Sequence, residues 1–139
     1  MGTQRQQPEV IAAALGAKTI AIVGLSSNPM RPSYGVAEYL INAGFEVVPV
    51  NPREQEVLGL PCYPSLAEVP VAIDMVDVFR ESAAVAEIAA QAVAVKAKFF
   101  WLQLGVISDE GVAIAEAGGM QCIVDLCTKI EHQSANLKR

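Results

Sequence analysis

With 139 residues, 53% of them hydrophobic and 18% charged, the chain suits one domain with a real core and is too apolar for disorder. A formal net charge of −5 excludes a broadly basic face, so nucleic acid is not an expected partner and any anion site must be local. Cys62, Cys122 and Cys127 are odd in number and lack paired Cys-x-x-Cys spacing, which argues against a disulfide framework or a zinc site and for small buried side chains in a reducing compartment.

The first eight residues, Met-Gly-Thr-Gln-Arg-Gln-Gln-Pro, lack the apolar core of a signal peptide, and no apolar run reaches membrane-spanning length. A cytoplasmic protein without a membrane partner is expected. Pro8 at a first helical position, Ile11, Ala12 and Leu15 at helical spacing, and Gly16 as a stop predict a short helix at the edge of a sheet. Lys18 to Val23 is an almost unbroken apolar run, the pattern of a strand in the middle of a parallel sheet.

From Gly24 to Tyr34 the chain turns out of that strand, through a small polar loop, into a helix. Gly24 turns without a Cβ clash, and Ser26 and Ser27 are small enough for a ligand to approach the loop amides. The helix that follows directs its unpaired N–H groups and positive dipole end at whatever the loop holds, which is an arrangement for phosphate. The same stretch also suits a plain strand-to-helix connector. The dinucleotide fingerprint Gly-x-Gly-x-x-Gly is missing, since Ser26 and Pro29 replace its second and third glycines.

Ser33 is the expected cap of this helix, Val36, Tyr39, Leu40 and Ala43 its inward face, and Gly44 its left-handed stop. Phe45 to Val50 returns as a second strand, placed near an edge because Pro49 cannot donate to a ladder. Asn51-Pro52-Arg53 closes that strand at the end where doubly wound folds bind ligands. A nicotinamide-binding unit would carry an acid there for a ribose. An amide and a cation suit an extra phosphate better.

Residues 54–71 read as irregular, with a short extended piece at Leu60 to Tyr63 and one capped turn at Ser65-Leu-Ala-Glu68. Ala72 to Phe79 is a predicted strand whose Asp74 and Asp77 are taken as end or turn groups. Ser82 opens an Ala-rich helix with Val85, Ile88, Ala89, Ala92 and Val95 on one face. Lys98 to Leu104 is a strand whose three aromatics belong to the core, with Gln103 facing the ligand crevice before Gly105. Ser108 opens another helix that Gly118-Gly119 ends, and Gln121 to Val124 is the last strand. His132, in the sequel Asp125-Leu-Cys-Thr-Lys-Ile-Glu-His132, reads as an exposed tail residue or cap partner. Strands and helices alternate throughout, so the predicted fold is an α/β, Rossmann-like, doubly wound and mostly parallel sheet of about five strands, with helices on both faces, in one domain over 1–139.

Val-Gly-Leu-Ser-Ser-Asn-Pro at 23–29, Pro-Val-Asn-Pro-Arg at 49–53, Asp-Val-Phe-Arg at 77–80 and Trp-Leu-Gln-Leu-Gly at 101–105 together resemble the stand-alone CoA-binding domain family, which is similar to the N-terminal CoA-binding domain of the succinyl-CoA synthetase α subunit. The resemblance runs from Lys18 to His132. It implies that Gly24, Ser26, Ser27 and Asn28 wrap the CoA diphosphate, and that Asn51, Pro52 and Arg53 meet the ribose 3′-phosphate or adenine end. Val78, Phe79 and Arg80 would line the nucleotide and pantetheine path. Pro29, Arg31, Ser33, Tyr34, Gln103 and Gly105 complete the expected site, with Arg31 and Arg80 as rival cations for the extra phosphate. The family's tail usually reads Asp-Arg-Cys-Met/Leu-x-x-Glu-His, and this chain departs from it at Leu126, Thr128 and Lys129.

The expected function is therefore non-catalytic binding of coenzyme A or an acyl-CoA, a small-molecule nucleotide ligand, by a monomer or homodimer that serves a partner enzyme or a regulatory role. A small NADP-binding oxidoreductase, with Arg53 on the 2′-phosphate, is the alternative. A structural subunit with an empty crevice is the third reading. The phosphorylated histidine of the synthetase lies in a domain that this chain does not contain.

Overall fold

Thr19–Val23 forms strand β1, with all five residues buried, and the computed structural model describes the chain over residues 7–137. The reading of the first residues as lacking a signal peptide falls mostly outside that range. Because successive strand side chains point to opposite faces, Ile20 and Ile22 enter one core while Ala21 and Val23 enter another. Strands β2 (Glu46–Val50), β5 (Met75–Val78), β6 (Phe99–Leu102) and β7 (Gln121–Val124) join β1 in a five-stranded, fully parallel sheet of order β2-β1-β5-β6-β7. Between β5 and β2 the chain makes a two-stranded hairpin, β3 (Glu56–Val57) with β4 (Leu60–Pro61).

Among the described residues five α-helices cover the sheet: α1 (Pro8–Leu15), α2 (Pro32–Asn42), α3 (Val85–Ala94), α4 (Asp109–Ala117) and α5 (Thr128–Leu137). The side of Phe100, Val76 and Ala21 packs under α3 and α4. Trp101, Met75 and Ile20 lie on the opposite side, under α1 and α2, against which α5 also packs. This is the predicted α/β Rossmann-like fold, with Phe100 and Trp101 fully buried as core aromatics. Pro49 does lie in an edge strand, and its carbonyl accepts from the Tyr63 N–H at 3.0 Å, so the chain after the hairpin covers that edge.

Several local expectations are corrected. Ser33 does not cap α2, because Pro32 takes the first helical position and moves the N-cap to Arg31. Ala37 replaces the exposed Ala43 on the inward face of α2. Ser65 makes no side-chain cap, and the turn Leu66–Glu68 is held by backbone bonds alone. The β3–β4 hairpin escaped the reading of 54–71 because its tight turn is Leu58-Gly59, both with positive φ (54° and 76°), where such turns favour asparagine or aspartate before glycine. Ser82 begins a 3-10 turn, and α3 proper starts at Val85. His132 is not on a free tail. It lies in α5, where Tyr39 Oη is 2.6 Å from its Nδ1 and the Phe45 ring meets it edge-on, which pins α5 to α2.

Candidate functional site

The strand order reverses between β1 and β5: β2 is laid down on one side of β1, and β5, β6 and β7 on the other. Loops leaving the carboxyl ends of β1 and β5 therefore diverge to opposite sides and leave a crevice between them, the usual place for a ligand in such sheets. A cavity of 920 Å³ opens there, at the large end of the range for ligand pockets.

Gly24 makes the junction. Its N–H donates to Val50 O at 2.8 Å, its φ is +89°, and a Cβ placed on it would stand 2.6 Å from the Phe79 carbonyl oxygen. Only glycine lets the β1 loop lie this close to the β5 loop. The loop that follows is held by a chain of short polar contacts. Ser26 N–H donates to Ser33 Oγ at 3.1 Å, Asn28 N–H to Ser26 Oγ at 3.0 Å, and Met30 N–H to Asn28 Oδ1 at 3.0 Å. Ser27 gives both its N–H, at 3.0 Å, and its hydroxyl, at 2.8 Å, to the Glu54 carboxylate. Those two bonds, the backbone one foremost, hold the Glu54 carboxyl below its ordinary value. Asn51 ties this loop to the end of β2, donating to Leu25 O at 3.0 Å while its Oδ1 accepts from the Arg53 N–H at 2.9 Å.

Three guanidinium side chains, Arg31, Arg53 and Arg80, line the cavity. Arg80 pairs with Glu81 at 3.1 Å, the only ion pair among the described residues, and its hydrogen bond lowers the Glu81 carboxyl. Both partners of that pair are solvent-exposed and contribute little to stability. Arg31 and Arg53 make no ion pair among the described residues, so their charge is available to an anion.

Beneath the crevice lies a buried polar cluster. Gln103 Nε2 donates to Asp77 Oδ1 at 2.6 Å and to Thr128 Oγ1 at 3.0 Å, and Thr128 Oγ1 donates to Asp77 Oδ2 at 3.0 Å. Asp77 is thus no end or turn group: it is wholly buried in the middle of the sheet. Burial pushes its carboxyl up to about 7, against the opposing effect of the bonds from Gln103 and Thr128. Asp74 does behave as an end group, accepting from the Lys18 and Thr19 N–H groups.

Of the expected site residues, the cavity wall brings together Gly24, Ser26, Arg31, Ser33, Asn51, Pro52, Arg53, Phe79, Arg80 and Gln103. Ser27, Asn28, Pro29, Tyr34, Val78 and Gly105 are not on that wall. Val78 is fully buried and packs into the α3–α4 core, because its side chain alternates away from the crevice. Gly105 donates its N–H to Asp125 Oδ1 at 2.8 Å, and Asn28 is spent on the loop itself. Gln103 reaches the crevice, but its amide nitrogen is committed to Asp77 and Thr128.

Sequence reasoning missed Pro32, Val36, Glu54, Glu81, Leu104, Val106 and Cys127, all of which line the wall. Glu54 directly follows the Asn51-Pro52-Arg53 motif, and Cys127 follows the last strand at its carboxyl end, so position alone could have nominated both. Cys127 is accordingly not a plain core thiol. Cys122 is one, and burial pushes it up to about 12.

The chain is 39% identical over 115 residues to the uncharacterized protein YneT of Bacillus subtilis, which covers 83% of this chain and 85% of that one. A solved structure of a hypothetical protein from Pyrococcus horikoshii superposes with a TM-score of 0.90 at 36% identity, covering 92% of this chain and 91% of that one. The ADP-forming acetate–CoA ligase II of Archaeoglobus fulgidus is 32% identical over 76 residues, 53% of this chain but 11% of the ligase, so the likeness is to a small part of a much longer enzyme. The family model described as "CoA binding domain" matches residues 18–133. With the whole five-stranded sheet and every wall of the crevice inside that match, the chain belongs to the CoA-binding domain family.

Proposed function

We propose that this protein binds coenzyme A or an acyl-CoA in the crevice between β1 and β5 and carries out no chemistry of its own. The observation that carries this reading is the pairing of a glycine-turned, donor-rich loop with two cations, Arg31 and Arg53, that have no ion-pair partner among the described residues. A ligand with a diphosphate and a further phosphate matches both features. The Ser26 hydroxyl would donate to the diphosphate, which Gly24 lets approach the loop although its own N–H is held by Val50, and Arg53 at the end of β2 would meet the ribose phosphate. Phe79, Leu104 and Val106 offer the apolar wall along which a pantetheine arm would run. His132 takes no part in the proposed site, since it is engaged by Tyr39 between α5 and α2 and does not line the cavity.

The test is a thermal melt with millimolar CoA beside one with NADPH, together with a mass spectrum of small molecules retained after native purification. At about one hundred times its dissociation constant, CoA should stabilise the fold by about 2.7 kcal/mol. A melt unmoved by CoA and shifted by NADPH would overturn the proposal.

A further inference from the structure

Ser27 is the one residue of the β1–α2 loop that aims both an N–H and a hydroxyl at the same acceptor, and that acceptor is a carboxylate of the chain itself. Glu54 Oε2 takes both, at 3.0 and 2.8 Å, while its side chain lines the crevice that Arg31 and Arg53 also line. The remaining loop donors that the structure resolves, from Ser26, Asn28 and Met30, end on neutral oxygens. A carboxylate on the crevice wall therefore already occupies both donors of Ser27, which is not itself on that wall and meets the crevice through Glu54, and such paired donors also suit a phosphate oxygen.

We propose that Glu54 is a specificity-determining residue: its carboxylate stands in for ligand phosphate on Ser27, and a ligand gains full access to the loop by exchanging its own phosphate for Glu54. The proposal rests on the reading of the crevice as a CoA site. It follows from charge and valence. Glu54 Oε2 and a phosphate oxygen cannot share the Ser27 N–H and Oγ–H, and two anions held at that distance repel each other. Entry of the phosphate must move the Glu54 side chain toward solvent, and its surroundings allow this, since the bonds to Ser27 are exposed. Glu81, the other acid on the wall, is already paired with Arg80 and takes no part in the exchange. Ligands lacking a phosphate leave Glu54 in place, so the site is closed to them at the loop. For those that carry one, affinity is held below what the cations and amides alone would give, which favours exchange over permanent capture.

Glu54→Gln keeps the shape and an acceptor for Ser27 but removes the charge. Binding of three probes, CoA, inorganic diphosphate and pantetheine, is measured by calorimetry on the wild type and the variant, with thermal melts to confirm folding. We expect CoA and diphosphate to bind about tenfold tighter to the variant, and pantetheine, which has no phosphate, to be unchanged. If the wild type binds CoA and the variant binds it equally or more weakly, Glu54 is a ligand contact or a bystander and the inference is overturned. If CoA binds neither protein, the CoA reading is lost, and diphosphate alone then decides: tighter binding to the variant upholds the exchange, and equal or absent binding overturns it.

Discussion

Replacing Asp77 with asparagine should flatten the dependence of stability on pH that one buried carboxyl imposes. The Asp77 carboxyl is wholly buried and raised from 3.8 to about 7, which corresponds to about 4 kcal/mol at about 1.4 kcal/mol per pH unit. The sign follows from where each state holds its proton. The unfolded chain releases it above about pH 4, whereas the native protein keeps it until about pH 7, so across that window the native state binds more protons. The contribution to stability is therefore complete below about pH 4 and is lost as pH rises through about 7. Asparagine can accept from Gln103 Nε2 and donate to Thr128 Oγ1, so it fits the same cluster without titrating. Urea unfolding of both proteins at several pH values between about 4.5 and about 8 isolates the effect, because every other carboxyl is common to both. The wild type should lose about 3 kcal/mol relative to the variant over that range, the remainder of the shift lying below it. Parallel curves would refute the argument, because they would mean that Asp77 is already charged in the native protein across the whole range.

Three further substitutions probe the crevice and its frame. Arg53→Ala should weaken CoA about tenfold to a hundredfold, from the loss of one charge-assisted bond of roughly 1.5 to 3 kcal/mol, and leave dephospho-CoA unchanged; equal losses for both in calorimetry would mean that Arg53 does not read the extra phosphate. Gly24→Ala should destabilise by about 2 to 4 kcal/mol, combining a positive φ with a backbone clash, since its Cβ would lie 2.6 Å from Phe79 O; a variant melting with the wild type would disprove the close approach of the two loops. Gly111→Ala, where the first turn of α4 meets the start of α3, would put a methyl 2.4 Å from Val85 Cγ1. Overpacking of about 1 to 3 kcal/mol should outweigh the roughly 0.5 to 1 kcal/mol that alanine ordinarily adds to a helix, and a more stable variant in denaturant would reverse that judgement.

The local code carried a great deal. The apolar runs at Thr19–Val23 and Phe99–Leu102, the Pro8 and Gly44 boundaries, and the alternation of strand and helix were legible because each depends on neighbours within a few residues. The same holds for Gly24 and for the end of β2 at Asn51 to Arg53, since a glycine turn and a strand terminus mark the crevice in any doubly wound sheet. Tertiary structure alone decided the rest. Asp77 looked like a turn group because nothing within its own segment reveals that Gln103, 26 residues on, and Thr128, 51 residues on, converge upon it. Ser27 looked free for a ligand because its acceptor, Glu54, is brought to it only when β2 lies beside β1. His132 looked like a tail residue until α5 packed on α2. Propensity and periodicity report what a residue does within its own element. Which polar groups satisfy one another across elements is set by the strand order, and that order is a property of the whole chain.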